Sequence, residues 1–140
     1  KQHGKKAEYA LCAAQWHKSL SYRDDFFGSA SDFDRSFNAE YGYAPPYQAA
    51  ESSAALLVWK DAFERANSLN KEKVRDALAK TDIQTFYGNI KFSPQGQNIA
   101  KPMVLFQVRC TGDKCENRVV APTKWASHKL VHPIPKWSNR

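Results

Sequence analysis

The chain has 140 residues, enough for one domain with its own hydrophobic core. Hydrophobic residues make up 42% and charged residues 25%, ordinary globular usage that excludes a disordered chain. The net charge of +7 would suit an anionic partner, but only Lys1, Lys5 and Lys6 cluster, so a solvated surface accounts for the cations and no nucleic-acid partner is expected.

The chain starts with KQHGKKAEYALCAAQ, which lacks Met and has no long apolar leader. It reads as processed or as a piece of something longer. AEYALCAAQW (7–16) is a short apolar run with small residues, predicted to be a buried strand entering a loop. SLSYRDDFFGSA follows as loop, with Gly28 in the turn. Phe33, Phe37 and Tyr41 then recur at helical spacing, with Ser31 and Asp34 as an approximate capping pair and Gly42 as the stop.

The clearest helix begins at Tyr47. Ala50, Ala54, Leu57, Val58, Ala62 and Ala66 recur at steps suited to one face. Pro45 and Pro46 precede the run and Asn67-Ser68 ends it. Its longest apolar stretch, AALLVW at 54–59, stops at Lys60 and Asp61, far short of the ~20 residues of a membrane span. Asn70 is placed to cap a third, shorter helix, KEKVRDALAKT, with Val74, Ala77 and Leu78 inward.

From Thr85 the period changes. Phe86, Ile90 and Phe92 fall on one face of a predicted strand with Gly88 between them, and SPQG is a turn signal. MVLFQVR (103–109) predicts a further strand, CTGDKCEN a hairpin tip with Gly112-Asp113 in the turn, and RVV the return. The tail after Pro122, with Trp125 and Trp137, is expected to wind over a surface. His17 beside Lys18 and the Asp24-Asp25 pair have no nucleophile motif around them, and there is no Gly-rich phosphate loop, so neither an enzyme nor a cofactor is expected.

CTGDKCENRVVAPTKWASHKLVH (110–132) also has the spacing C-x4-C-x12-H-x3-H of a Cys2His2 zinc finger. In a finger, Pro122 would open a helix and His128 and His132 would share one face of it, joining Cys110 and Cys115 around tetrahedral zinc. The positions where a finger wants an aromatic and a leucine hold Val119 and Trp125 instead. A zinc-dependent nucleic-acid binder is therefore the alternative reading of the chain.

The series DFDRSFNAEYGYAPPYQAAESSAALLVWKDAFERANSLNKEKVRDALAKTDIQTFYGNIKFSPQGQN, MVLFQV, VVAP and PIPKW is similar to the carboxy-terminal part of leucine/isoleucine/valine-binding periplasmic proteins. These are the ligand receptors of ABC importers. Specificity lies in the order of motifs, from Tyr-Gly and Pro-x-Tyr-x-Ala-Ala-like helix boundaries to the closing Pro-x-Pro-x-Trp. The resemblance implies an α/β fold: a partial type I periplasmic-binding-protein fold with mostly parallel strands and incomplete lobes. By it, about 7–84 belong to the amino-terminal lobe, about 85–120 supply strands of the other lobe, and 121–140 form a closing tail. It also implies a periplasmic location, an ABC-transporter permease as partner, and an amino acid or similar small polar ligand held in an interlobe cleft.

Most ligand groups of such a receptor would lie outside this chain. By resemblance, Tyr47 is the best local candidate for a ligand or hinge contact, and packing on Phe37 or Tyr41 is its alternative. Trp16, after the first strand, is a second candidate, with a core role as alternative. Glu51, one turn beyond Tyr47, is a third, or simply a charge favoured by the helix dipole. Phe86 and Tyr87 read as sheet packing. In the oxidising compartment the resemblance implies, a Cys110–Cys115 disulfide across the hairpin tip is the simpler use of those cysteines, with reduced thiols as the other choice; Cys12 is left over. A self-associating piece without binding activity is the remaining reading.

Overall fold

A computed structural model describes residues 4–101 and 103–139. They form two compact units, one of residues 4–19 and 103–139, the other of residues 20–101.

The first unit is built on one three-stranded sheet. Strand β1 (Leu11–Ala14) lies at one edge, and the two later strands of this unit form a long hairpin beside it. The predicted strand at 7–16 therefore exists, but Leu11, Cys12 and Ala13 are exposed and only Ala14 is buried, because β1 has a neighbour on one side alone.

The second unit opens with a tiny hairpin, β2 (Arg23–Asp24) and β3 (Gly28–Ser29), where the sequence pattern gave only loop. Gly28 takes φ 75°, which an L side chain rarely adopts. Helix α1 (Ala30–Tyr41) follows, capped two residues earlier than predicted. Ser29, at φ −80° and ψ 165°, closes a reciprocal box with Asp32, whereas Ser31 already lies within the helix. Gly42 ends α1 in the left-handed conformation, as its position suggests.

Helix α2 (Tyr47–Ala66) buries Ala50, Ala54, Val58 and Ala62, a column of mostly small residues that lets it approach its neighbours closely. It packs on α3 (Lys71–Ala79), whose N-cap Asn70 accepts from the amides of Glu72 and Lys73. Arg65 fastens the two helices: its guanidinium pairs with Asp61 at 2.6 Å and donates to the Ala77 carbonyl at 2.8 Å.

Beyond α3 the predicted Phe86–Phe92 strand is instead half of a hairpin. Strand β4 (Asp82–Thr85) pairs antiparallel with β5 (Gly88–Lys91), and Phe86 and Tyr87 occupy the two-residue turn. Thr85 makes the turn possible: its hydroxyl donates to the Gly88 carbonyl at 2.8 Å and accepts from the amides of Tyr87 and Gly88. Phe86 is fully buried, stacked on Phe33 at 4.2 Å and edge-on to Phe27 at 5.0 Å. Asp24 locks the same place from β2, accepting from the Phe86 amide at 2.6 Å with one oxygen and from the Phe27 amide at 2.7 Å with the other.

Strands β6 (Val104–Thr111) and β7 (Lys114–Ala121) complete the first unit, with Gly112 and Asp113 as the tip. Its core holds Trp16, Val104, Phe106, Val119 and one polar residue, Gln107. Gln107 is satisfied by the backbone around it: its Nε2 donates to the carbonyls of Tyr9 and Val131, and its Oε1 accepts from the Val131 amide at 2.9 Å.

The mixed helix-and-sheet composition agrees with the expected α/β class. The strand direction does not: every strand pair among the described residues is antiparallel. Three of those four pairs are hairpins joined by short turns, and a short turn can only reverse the chain.

Candidate functional site

The amino-terminal end of α2 presents Tyr47 and, one turn on, Glu51, both exposed. The β4–β5 turn lies in the same unit and supplies Tyr87, which is buried to 6% exposure. Over its ring sits the Lys101 ammonium, 3.6 Å from the centroid, a cation–π contact at short range. Gly88 leaves room for this lysine. A Cβ at residue 88 would stand 2.5 Å from Lys101 Cδ, and its φ of 142° already disfavours any side chain.

Electrostatically the four residues form one group. Burial pushes the Lys101 ammonium down to about 8 from its ordinary 10.5, against a smaller upward pull from Glu51. Burial, followed by the negative charge of Glu51 and then Tyr47, raises the Tyr87 phenol. Beside them runs a groove of about 390 Å³, with Ala54, Val58, Leu78 and Ile90 in its apolar lining and Glu51, Tyr87 and Asn98 as its polar members. An apolar groove with a few convergent polar groups is the usual form of a small-molecule site.

The three sequence-predicted contact residues are thus divided. Tyr47 and Glu51 stand one turn apart on one helix beside this groove, and the observed ring contacts of Phe37 are with Phe33, Tyr41 and Tyr43. Trp16 lies in the other unit, with only 4% of its surface exposed. Lys101 and Asn98 were missed: they fall in NIAK, where no periodicity or motif singles them out. Tyr87 was read as sheet packing, and the signal that could have raised it is the adjacent Gly88.

The finger-like spacing does not give a finger. Cys110 and Cys115, opposite one another across β6 and β7, are joined in a disulfide, so their sulfurs are not thiolate ligands. No helix forms over 122–132, and His128 and His132 are exposed in irregular backbone. Among the described residues no group of three or more His, Cys, Asp or Glu is arranged to hold a metal ion. Pro122 begins a turn rather than a helix, because the Ser127 and His128 amides both bond back to the Val119 carbonyl at 2.9 and 3.2 Å. Cys12 is free and exposed.

Residues 1–114 match the family model described as periplasmic binding protein. The chain belongs to the periplasmic binding protein family. Solved structures show the same fold. A leucine-binding protein from Thermotoga maritima superposes with a TM-score of 0.65 at 23% identity, over 84% of this chain and 32% of its own. A periplasmic binding protein from Burkholderia mallei gives 0.67 at 18% identity, over 89% and 35%. An ABC transporter substrate-binding protein from Desulfitobacterium hafniense, in complex with Leu, gives 0.61 at 22% identity, over 79% and 31%.

The chain therefore spans about a third of the length of these periplasmic binding proteins and holds a partial version of their fold. Among its described residues no helix is long and apolar enough to cross a membrane.

Proposed function

We propose that the chain is part of the solute-binding component of an ABC importer, taking an amino acid or a related small polar ligand and working as a binding protein rather than an enzyme. Family membership over residues 1–114 carries this reading. The ligand class is supported by the leucine-binding relative and by the relative solved with Leu. The location is the periplasm, or the cell exterior in association with the membrane in organisms without one, and the partner is the importer's permease. Within the receptor, we assign about 7–84 to the amino-terminal lobe, about 85–120 to strands of the other lobe and 121–140 to the closing tail.

The groove beside α2 has the complement of an aliphatic amino acid. Glu51 offers a carboxylate for the ligand ammonium, Lys101, held over the ring of the lining residue Tyr87, an ammonium for its carboxylate, and Ala54, Val58 and Ile90 an apolar surface for its side chain. Tyr47, exposed one turn before Glu51 on α2, offers a hydroxyl donor. Trp16, buried in the first unit, takes the core role. NMR titration of the chain with leucine at millimolar concentration tests this. The Tyr47, Glu51 and Lys101 resonances should move, and Glu51→Gln should abolish the effect. Absence of any shift at these residues with every amino acid tried refutes the assignment of the site.

A second reading, self-association, is favoured by apolar residues left exposed on α2 and just after it. Leu56, Trp59, Phe63 and Leu69 are exposed at 68, 46, 40 and 87%, with Trp59 and Phe63 stacked on each other. Sedimentation of the chain across a concentration series distinguishes a monomer from an assembly, and Trp59→Lys should restore the monomer.

A further inference from the structure

The dispersal of cations along the sequence hides an imbalance between the two units. Residues 1–19 and 103–140 carry eleven Lys and Arg against three Asp and Glu, whereas residues 20–102 carry ten against eleven. The whole positive charge of the chain thus resides in the first unit. Its tail is the extreme case: from Asn117 to Arg140 there are five cations and no acidic residue. Charge asymmetry of this kind points to an anionic partner.

Three lysines of this tail each precede a large apolar residue: Lys124-Trp125, Lys129-Leu130 and Lys136-Trp137. All three lysines are exposed, Leu130 is 45% exposed and Trp137 54%. Trp125 is half-buried, with the Lys124 ammonium 5.6 Å from its ring centroid. The backbone explains why these pairs are on display. The tail is tied to the sheet at Ser127 and His128, through the Val119 carbonyl, and again at Val131, through Gln107. Lys124-Trp125 precedes the first tie, Lys129-Leu130 bridges the two, and Lys136-Trp137 follows the second. The ties hold the fold, and Lys129-Leu130 lies between them with both residues exposed.

We propose that this tail is a contact surface for the anionic headgroup layer of a lipid bilayer. Lysines with apolar neighbours suit that boundary, since the ammonium meets phosphate while Trp or Leu enters the acyl margin. Tryptophan in particular is at home where one side is apolar and the other wet. A nucleic acid would supply phosphates as well, but it has no place for Leu130 and would gain more from arginine forks than from three lysines.

The test is co-sedimentation of the chain with phosphatidylcholine vesicles that contain roughly a third phosphatidylglycerol, with pure phosphatidylcholine vesicles as reference. Binding should require the anionic lipid and weaken with added salt. Replacing Lys124, Lys129 and Lys136 by Gln should reduce partitioning by roughly fivefold per lysine, about a hundredfold together. Trp137→Ala should lower it several-fold with the melting temperature unchanged. Replacing Lys71, Lys73 and Lys80 of the other unit by Gln should leave it unaltered. Equal loss from that control set would show net charge alone at work and overturn the proposal. So would equal binding to neutral vesicles, no binding to anionic ones at low salt, or tighter binding to a single-stranded oligonucleotide than to the vesicles.

Discussion

Lys101→Met isolates the electrostatic cost of holding an ammonium over Tyr87, because methionine keeps an apolar stem of similar reach and removes the charge. With its folded value near 8 and an ordinary value of 10.5, Lys101 binds fewer protons in the folded chain than in the unfolded one across that interval. Stability therefore rises as pH climbs from about 8 to 10.5, and the ammonium is a net cost below that window. At 1.36 kcal/mol per unit, the whole displacement would be about 3 kcal/mol. Lys101 is only half-buried and its ring contact opposes the effect by ~0.5–1 kcal/mol, so about 1–2 kcal/mol is expected. At pH 7, Lys101→Met should melt roughly 5–10 °C above the parent, a shift suited to a unit of this size. The gap should narrow steadily up to pH 10.5, where the parent lysine is neutral in the folded chain and half neutral in the unfolded one. Glu51 is the charge that holds the lysine up against burial, so Glu51→Gln should push the lysine further down and widen the gap at pH 7. Thermal melts of the three proteins between pH 7 and 10.5 make the measurement. A gap that is constant across the range, or a Lys101 amine that titrates at its ordinary value by NMR, refutes the reasoning.

Three further outcomes follow from the packing. Phe86→Leu should cost about 2 kcal/mol, combining a small volume loss with loss of the stacked Phe33 pair, whereas Phe26→Leu, at 69% exposure, should stay within ~0.5 kcal/mol by chemical denaturation. Gln107→Leu should destabilise the first unit by about 2 kcal/mol, since it strands the backbone groups of Val131 and Tyr9, and amide exchange at Val131 should accelerate. Reduction of Cys110–Cys115, which closes a loop of sequence separation 5, should lower stability by about 2 kcal/mol in the chain-entropy account, seen as an earlier denaturant midpoint under reductant.

What could be read from the sequence followed the range of the interactions involved. Helix α2 was legible because its determinants are local: the Ala50–Ala62 column, the two prolines before it and Asn67 after it. The hairpin tip at Gly112-Asp113 and the Asn70 cap were legible for the same reason. The α1 cap was off by two residues because Ser29 and Ser31 both have an acid three positions on, and only the extended backbone at Ser29 decides between them. The β4–β5 hairpin was misread as one strand because its turn holds Phe86 and Tyr87, two large residues that favour strands. They occupy a turn here because Asp24 and the Phe27–Phe33 cluster, about sixty and fifty residues upstream, bury the ring of Phe86 and bond its amide.

The candidate site divides along the same line. Tyr47 and Glu51 could be paired on paper, since one helical turn joins them. Lys101 could not, because it lies fifty residues beyond Glu51 in a segment without regular periodicity. Its place over Tyr87 is fixed by the left-hand φ of Gly88 and by the space that residue leaves. A lysine in such a segment reads as a solvated charge until the turn beneath it is known. The hairpin turns that charge into a half-buried ammonium over the Tyr87 ring, within electrostatic reach of the Glu51 carboxylate, and this pairing, rather than either residue alone, is what the proposed site would offer a zwitterionic ligand.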